Sequence, residues 1–335
     1  MKAMVLRQLA AIETAPLRPS DLPDPRPGRR EVGLKVSCCA VCRTDLHVIE
    51  GDLPQQRLPI VPGHQIVGVV DRVGSDCSRL QVGQRVGVAW LRHTCGQCPF
   101  CTAGRENLCE SSRFTGYHAD GGYAAYAVVP EDFAYEIPDA FSDLDAAPLL
   151  CAGIIGYRAL KRCNLPSGGK LALYGFGSSA HVVMQIAHHR GCEVYVVTRG
   201  EEHRQLARQM GAAWVGASAN EMPVKVSSAI IFAPVGHLVP PALDKLQKGG
   251  TLSLAGIYMT EIPAMDYEKY VFYERDIHSV TANTRQDGRE LLAEAAEIPI
   301  RPHVTTYPLT EANRALQDLK ADRINGTAVL TITGP

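Results

Sequence analysis

Long apolar runs are missing from this 335-residue chain. No stretch approaches the roughly 18 consecutive apolar residues that a membrane span needs, so no membrane partner is expected. An excess of charge of either sign is missing too. Lys and Arg number 34 and Asp and Glu 35, for a net charge of -1. That balance gives no electrostatic footprint for nucleic acid or an anionic surface. Met1-Lys2-Ala3-Met4-Val5 runs straight into a strand-like segment and lacks the profile of a secretion signal. No internal repeat or low-complexity tract stands out. What is present, 46% hydrophobic and 21% charged residues, is the composition of a soluble globular protein. The chain is long for a single core, and two domains are expected. Eleven cysteines without a secretory signal point to a reducing compartment, and hence to the cytoplasm.

In such a compartment clustered thiols bind metal more often than they form disulfides. Cys95, Cys98, Cys101 and Cys109 fall within one fifteen-residue stretch, three of them spaced C-x-x-C-x-x-C. Four thiolates can close a tetrahedral zinc shell, and short C-x-x-C steps let a tight turn aim two sulfurs at one ion. Gly96, Pro99 and Gly104 are residues such turns use. The competing reading is a set of unconnected thiols or disulfides. A four-cysteine shell leaves no position for substrate, so the lobe at 95–109 is expected to be structural.

Residues 1 to about 150 read as β-rich: Val32–Val36, Ile66–Val73 and Arg85–Trp90 are short apolar runs between Pro and Gly turns. The proline-rich Leu17–Arg30 is expected to be an extended connection. Cys42, His64 and Cys151 stand in separate clusters, each weak evidence when taken singly. Cys38, Cys39, Cys77, Cys163 and Cys192 have no ligand-like context.

Beyond about 155 the pattern changes to alternating strands and helices. Lys170–Gly175 predicts a buried strand, His181–His189 a helix, Glu193–Thr198 a second strand and Glu201–Met210 a second helix. Ser228–Pro234 and Thr251–Gly256 are further strands, with a helix Val239–Gln247 between them. This is the βαβ signature of a doubly wound parallel sheet. Gly175-Phe-Gly177-Ser178-Ser179-Ala180 occupies the first strand-to-helix turn. Gly175 permits the tight turn, Gly177 a close backbone approach to a pyrophosphate, and Ala180 fills a position that tolerates Gly or Ala. The second strand should end in an acid if the ribose 2′-hydroxyl of NAD is to be held. It ends instead in Thr198-Arg199, with Arg204 a turn further on, which favours NADP over NAD; Glu201 and Glu202 leave the local charge mixed. The tail predicts a helix Gln286–Glu297, a strand His303–Tyr307, a helix Thr310–Lys320 opened by a polar cap, and a last strand Thr327–Ile332.

These clusters, in their order and spacing, resemble the zinc-dependent alcohol dehydrogenases of the medium-chain dehydrogenase/reductase superfamily. The matching pieces are CRTDLH at 42–47, GHQIVGVV at 63–70, the cysteine lobe, LLCAGIIGYRAL at 149–160, GFGSSA at 175–180 and INGTAVL at 324–330. The resemblance implies a GroES-like catalytic domain over 1–150, a Rossmann dinucleotide-binding domain over 151–285, and a segment 286–335 that returns to the catalytic domain. It implies a second zinc held by Cys42, His64 and Cys151, with an open position for an alcohol, and a homo-oligomer, tetramer or dimer. Zinc there acts as a Lewis acid on the oxygen of the alcohol or carbonyl. Thr44 matches the hydroxyl of the family's proton relay and His47 the residue that passes the proton to solvent. Asp45 supports the zinc site from behind, and Trp90 matches a position lining the substrate pocket.

The family pattern is departed from at three sites. Gln65 stands where a glutamate usually follows the histidine. Ser178-Ser179-Ala180 alters the phosphate turn. Thr327 stands where an arginine often binds the pyrophosphate, which makes Arg285 a candidate for that task. The expected activity is hydride transfer between a small primary or secondary alcohol and NADP or NAD, with aldehydes or ketones reduced in reverse. The alternatives are a polyol dehydrogenase of the same superfamily and a non-catalytic zinc-stabilised nucleotide-binding or redox-sensing protein.

Overall fold

A computed structural model of the chain describes residues 1–54, 57–298 and 300–332. It divides into two compact units, Met1–Ala152 with Asn283–Pro335, and Gly153–Ala282. The dividing points differ from 150/151 and 285/286 for local reasons. Cys151 sits in the wide helical turn Leu149–Gly153, which continues the helix Asp143–Pro148, and that helix packs on strands of the first unit. At the other boundary Asn283 donates to the Tyr135 hydroxyl at 3.4 Å, and Gly288 lies so close to the Tyr135 ring that a Cβ there would be 2.4 Å from it.

In the first unit six strands of a seven-stranded sheet run in the order Val304–Pro308, Thr327–Thr331, Glu31–Val41, Gln65–Val73, Arg85–Val88, Ala134–Glu136, and the seventh, Tyr126–Pro130, lies off this path. Glu31–Val41 is long enough to serve two partners along one edge. Its first half pairs antiparallel with Tyr126–Pro130 and its second half with Thr327–Thr331. Val32, Leu34 and Val36 alternate into the core with Ile66, Val86, Leu316 and Leu330, while Lys35 stays in solvent. The segment expected to be a plain connection opens with a strand, Leu17–Asp21, paired antiparallel with Lys2–Leu6. Pro19 is tolerated there because a two-stranded ribbon leaves its nitrogen facing away from a ladder. Leu91–His93 pairs with Arg113–Phe114 and brackets the cysteine lobe.

In the second unit six parallel strands run Trp214–Gly216, Glu193–Val197, Lys170–Tyr174, Val226–Ile231, Leu246–Leu254, Asp276–Ser279. That order, 3-2-1-4-5-6 along the chain, is the doubly wound dinucleotide-binding order. Leu171 to Tyr174 are all buried, as a parallel strand covered on both faces requires. The helix expected over Val239–Gln247 stops at Asp244, and its last strand-side residues belong to Leu246–Leu254. Gly249, at φ +71°, takes up the bulge that lets this strand start early. Trp214–Gly216 and Asp276–Ser279 carry too little apolar patterning to be foreseen. The polar cap expected at Thr310 is absent: Leu309–Glu311 is a 3₁₀ turn leading into the helix Ala312–Lys320 without a side-chain cap. Among the described residues no helix is long and apolar enough to cross a membrane.

Candidate active site and metal centres

Cys42 ends the long strand and opens the helix Arg43–Glu50. Asp45, in the first turn, accepts the Cys42 backbone N–H at 2.9 Å and so fixes the entry angle of the helix. Its other oxygen lies 3.0 Å from His64 Nδ1. Both side chains are fully buried, at 0% and 1% exposure. A carboxylate only accepts, so Nδ1 carries the proton and Nε2 presents its lone pair. That Nε2 lies 3.4 Å from Cys42 Sγ, and Cys151 Sγ lies 4.0 Å from the same sulfur. The three ligand atoms all fall within 4.8 Å of one another. Three devices therefore converge: a strand end, a glycine turn before His64, and the wide helical turn carrying Cys151. The glycine is obligatory. Gly63 has φ +95°, and a Cβ on it would lie 2.3 Å from the Tyr123 ring.

The electrostatics of the trio suit a cation. A hydrogen bond from Cys151 holds the Cys42 thiol well below its usual range against the opposing effect of burial, with His64 and the Thr44 hydroxyl adding to it. The same bond, with burial, pushes Cys151 up. Burial works against a charge on His64, but Asp45 and the Cys42 thiolate outweigh it and raise the imidazole to about 10. A divalent metal would take the lone pair of His64 Nε2 and the two sulfurs, and its binding would displace any proton held on them. The residues present fit zinc with three protein ligands and an open fourth position.

Thr44 and His47 lie three residues apart on one helix face, both half-buried. Trp90 is 9% exposed and stands edge-on to His64, with centroids 4.9 Å apart at 72°. Its own face stacks on Phe114 at 5.0 Å and Tyr117 at 5.8 Å. Gln65 is fully buried, and neither its amide nitrogen nor its amide oxygen finds a hydrogen-bond partner; the position brings no charge to the ligands.

The second cluster is local. Cys95, Cys98, Cys101 and Cys109 also bring their sulfurs within 4.8 Å of one another. Gly96 (φ +74°) and Gly104 (φ +68°) make the turns, and Pro99 opens the short helix Pro99–Thr102. Backbone amides of Gln97 and Cys98 pull the Cys95 thiol down to about 6. Burial, with bonds from its neighbours, pushes Cys101 up to about 11. Four sulfurs in this arrangement fit a closed zinc shell.

The lobe is tied down by Glu106, which sequence reasoning missed. Its carboxylate receives the Arg285 guanidinium in a fork, at 3.1 Å from Nε and 2.7 Å from Nη2, and the Arg285 backbone N–H at 2.7 Å. The same guanidinium lies over the Phe133 ring at 4.6 Å. Arg285, the candidate for the pyrophosphate, is thus engaged by Glu106 in this structure. Thr327 is buried within the strand Thr327–Thr331, in register with Val304.

In the second unit Gly175 has φ +89°, and a Cβ there would lie 3.2 Å from the Ala233 nitrogen. Gly177 precedes the helix Ser178–His189 and faces open space. Ser178 and Ser179 are half-exposed in the first turn, and Ala180 is buried against the sheet. The helix N-terminus and the bare glycine form a cradle that fits a pyrophosphate. At the end of the second strand Thr198 is buried and Arg199 exposed. Arg204 is turned to other work: it donates to the carbonyls of Thr198 and Arg199 at 3.2 and 2.6 Å, and pairs with Glu201 at 2.6 Å. These bonds brace the turn that follows the second strand.

Known proteins resemble this chain along its whole length. Residues 28–139 match the family model described as alcohol dehydrogenase GroES-like domain, and residues 180–297 the model described as zinc-binding dehydrogenase. A probable alcohol dehydrogenase, AdhA, of Mycobacterium tuberculosis is 51% identical over 99% of this chain and 97% of its own. An alcohol dehydrogenase of Geobacillus stearothermophilus is 35% identical over 99% of this chain and all of its own length, 100%. Among solved structures, the alcohol dehydrogenase of Aeropyrum pernix superposes with a TM-score of 0.87 at 28% identity, covering 99% of this chain and 100% of that one. A cinnamyl alcohol dehydrogenase of Sorghum bicolor gives 0.89 at 26%, covering 98% and 97%.

Proposed function

Because the chain belongs to the zinc-binding alcohol dehydrogenases, enzymes that move hydride between an alcohol and a nicotinamide cofactor, we propose that Cys42, His64 and Cys151 hold its catalytic zinc and Cys95, Cys98, Cys101 and Cys109 its structural zinc. The observation that carries the first assignment is the convergence of two sulfurs and His64 Nε2 within 4.8 Å, with Asp45 on the far ring nitrogen. A polyol dehydrogenase and a non-catalytic nucleotide-binding or redox-sensing protein are not favoured, since the relatives matched along the whole chain are named alcohol dehydrogenases.

When bound, zinc supplies a Lewis acid for the substrate oxygen, and the nicotinamide supplies or accepts the hydride. The protein's part is placement and proton management. Asp45 holds His64 in the tautomer that keeps Nε2 for the metal. Trp90, braced by Phe114 and Tyr117, makes a flat apolar wall beside His64 that excludes water from the reacting face. Thr44 takes the hydroxyl proton inside the dry site and His47, part-exposed at 19%, gives it to solvent. Gly175, Gly177 and the first turn Ser178-Ser179-Ala180 seat the pyrophosphate. Thr198 and the exposed Arg199 favour NADP over NAD. The substrates are small primary or secondary alcohols and the matching aldehydes or ketones.

The working form is a homo-oligomer, a dimer or a tetramer, in the cytoplasm. The oligomer reading is supported by the second unit's edge strand Asp276–Ser279, open along one side, and by Ile257, Tyr258, Tyr267 and Phe272, which expose 52 to 66% of their surface nearby in the sequence. The deciding experiment measures zinc and turnover together. The purified chain should carry two zincs and oxidise simple alcohols; Cys42→Ala should keep one zinc and lose turnover. A Cys42→Ala protein that stayed active, or a native chain with a single zinc, would overturn the assignment.

A further inference from the structure

The proposed relay ends at His47, whose imidazole must hold one ring nitrogen free to take up the proton. His47 Nδ1 lies 2.8 Å from Asp52 Oδ2. An ionised carboxylate has no proton to give, so the ring donates from Nδ1. In the neutral ring Nε2 is then the acceptor, the nitrogen able to take up a proton. We propose that Asp52 is the positioning residue of the proton relay: its carboxylate locks His47 in the Nδ1–H tautomer and stabilises the imidazolium formed when Nε2 is protonated. The inference rests on the reading that His47 carries the proton.

Asp52 is held for this task by its own backbone. Gly51 ends the helix at φ +87°, and the N–H groups of both Gly51 and Asp52 donate to the His47 carbonyl, at 3.1 and 3.0 Å. Main chain and side chain of Asp52 thus grip the same residue. A side chain at position 51 would be strained and would meet Leu9 at 3.0 Å. Two residues on, the Pro54 carbonyl accepts the Tyr117 hydroxyl. The Tyr117 ring stacks on Trp90, which stands against His64. The segment 51–54 therefore joins the outer end of the relay to the apolar wall beside the metal ligands.

A stabilising role does not account for this geometry. Asp52 is 55% exposed, and exposed ion pairs contribute little to folding. What the contact does determine is which ring nitrogen keeps its proton. The proton accounting closes: one proton arrives at Nε2, the ring becomes a cation bonded to Asp52 through Nδ1–H, and one proton leaves from Nε2 to water.

The test uses Asp52→Asn in the zinc-loaded protein, read by ¹⁵N NMR of the His47 ring, with the signal assigned by its loss in His47→Gln. Wild type should show Nδ1–H. The asparagine amide can donate to Nδ1, so the variant should gain the Nε2–H tautomer. Its kcat should fall roughly tenfold to a hundredfold with KM nearly unchanged. Tyr117→Phe should keep the tautomer and the fold. A wild-type Nε2–H signal would overturn the proposal. So would a kcat within twofold of wild type for Asp52→Asn when His47→Gln is strongly impaired, and in that case the relay reading stands alone. If His47→Gln itself turns over normally, both readings fall.

Discussion

Replacing Arg285 with alanine separates two roles that the same residue could fill. Its guanidinium forks onto Glu106 and lies over Phe133, while its backbone N–H stays on the carboxylate. Among the described residues, the substitution leaves Glu106, whose side chain is 11% exposed, with that N–H and a 3.5 Å contact from Thr94. Removing one partner of a fully buried pair costs about 3–5 kcal/mol, and surface pairs cost under about 1. Arg285 is 30% exposed, which puts the loss between these limits, at about 2–3 kcal/mol with the ring contact included. For a unit of this size that corresponds to a fall of roughly 4–12 °C in the first thermal transition. The KM for the nicotinamide cofactor should not change. The effect should depend on pH in one direction. Burial alone would raise the Glu106 pKa, but Arg285 holds it below its ordinary 4.5. The ion pair's contribution is therefore complete above about pH 4.5 and is lost as the pH falls through the lowered folded value. Scanning calorimetry of wild type, Arg285→Ala, Glu106→Gln and the double variant measures it, and the double variant should recover part of the loss. An unchanged transition together with a cofactor KM raised tenfold or more would refute the reasoning and return Arg285 to the pyrophosphate.

Three further outcomes are expected. Arg199→Asp should move the ratio of kcat/KM for NADP over NAD toward NAD by tenfold or more; unchanged discrimination would remove the argument from the strand end. Gly63→Ala should cost about 3 kcal/mol or more, because the added Cβ meets the Tyr123 ring at 2.3 Å and φ is +95°, and it should lower zinc retention; a stable, zinc-replete variant would count against the proposed packing behind His64. Cys98→Ala should lose one zinc and lower thermal stability or disrupt assembly before it affects the chemical step, and a fully folded, assembled variant would contradict a structural role for the lobe.

The parts of this molecule that were legible in advance are those whose physics is local. The cysteine lobe spans a few turns, and its glycines sit where the turns reverse. The strand Lys170–Tyr174, the glycine turn and the helix after it follow from one apolar run and one change of period. Asp276–Ser279 was not legible, because an exposed edge strand has no apolar alternation to display. Glu106 and Arg285 are 179 positions apart, and only the return of the C-terminal segment to the first unit brings them together. Asp52 is a different kind of omission. It is five residues from His47, directly after the glycine that ends the helix, and a helix-end reading of Gly51-Asp52 would have placed a carboxylate within reach of the histidine.

The contrast between the two metal sites has an energetic basis. In the lobe the outermost sulfurs are 14 residues apart, whereas Cys42 and Cys151 are separated by 109. Loop closure alone makes the wider site harder to assemble by about 2 kcal/mol. The larger difference lies in what holds the ligands before any metal arrives. The lobe is built of short turns and a four-residue helix, with Cys95, Cys98 and Cys101 half-exposed and only Cys109 of the four buried, so the metal itself must supply much of its order. The other site is set in a packed core: Asp45 and His64 are sealed, Gly63 is pressed against Tyr123, and the ligand-bearing turns follow a long sheet strand and a helix packed on that sheet. A site that must exchange alcohol for product needs this second arrangement, because an open coordination position lowers the binding energy available to organise the protein. The open site therefore draws its geometry from long-range packing, and its three ligands, scattered along the chain, could be assigned from sequence only through a family pattern. The closed one could be recognised from its spacing alone.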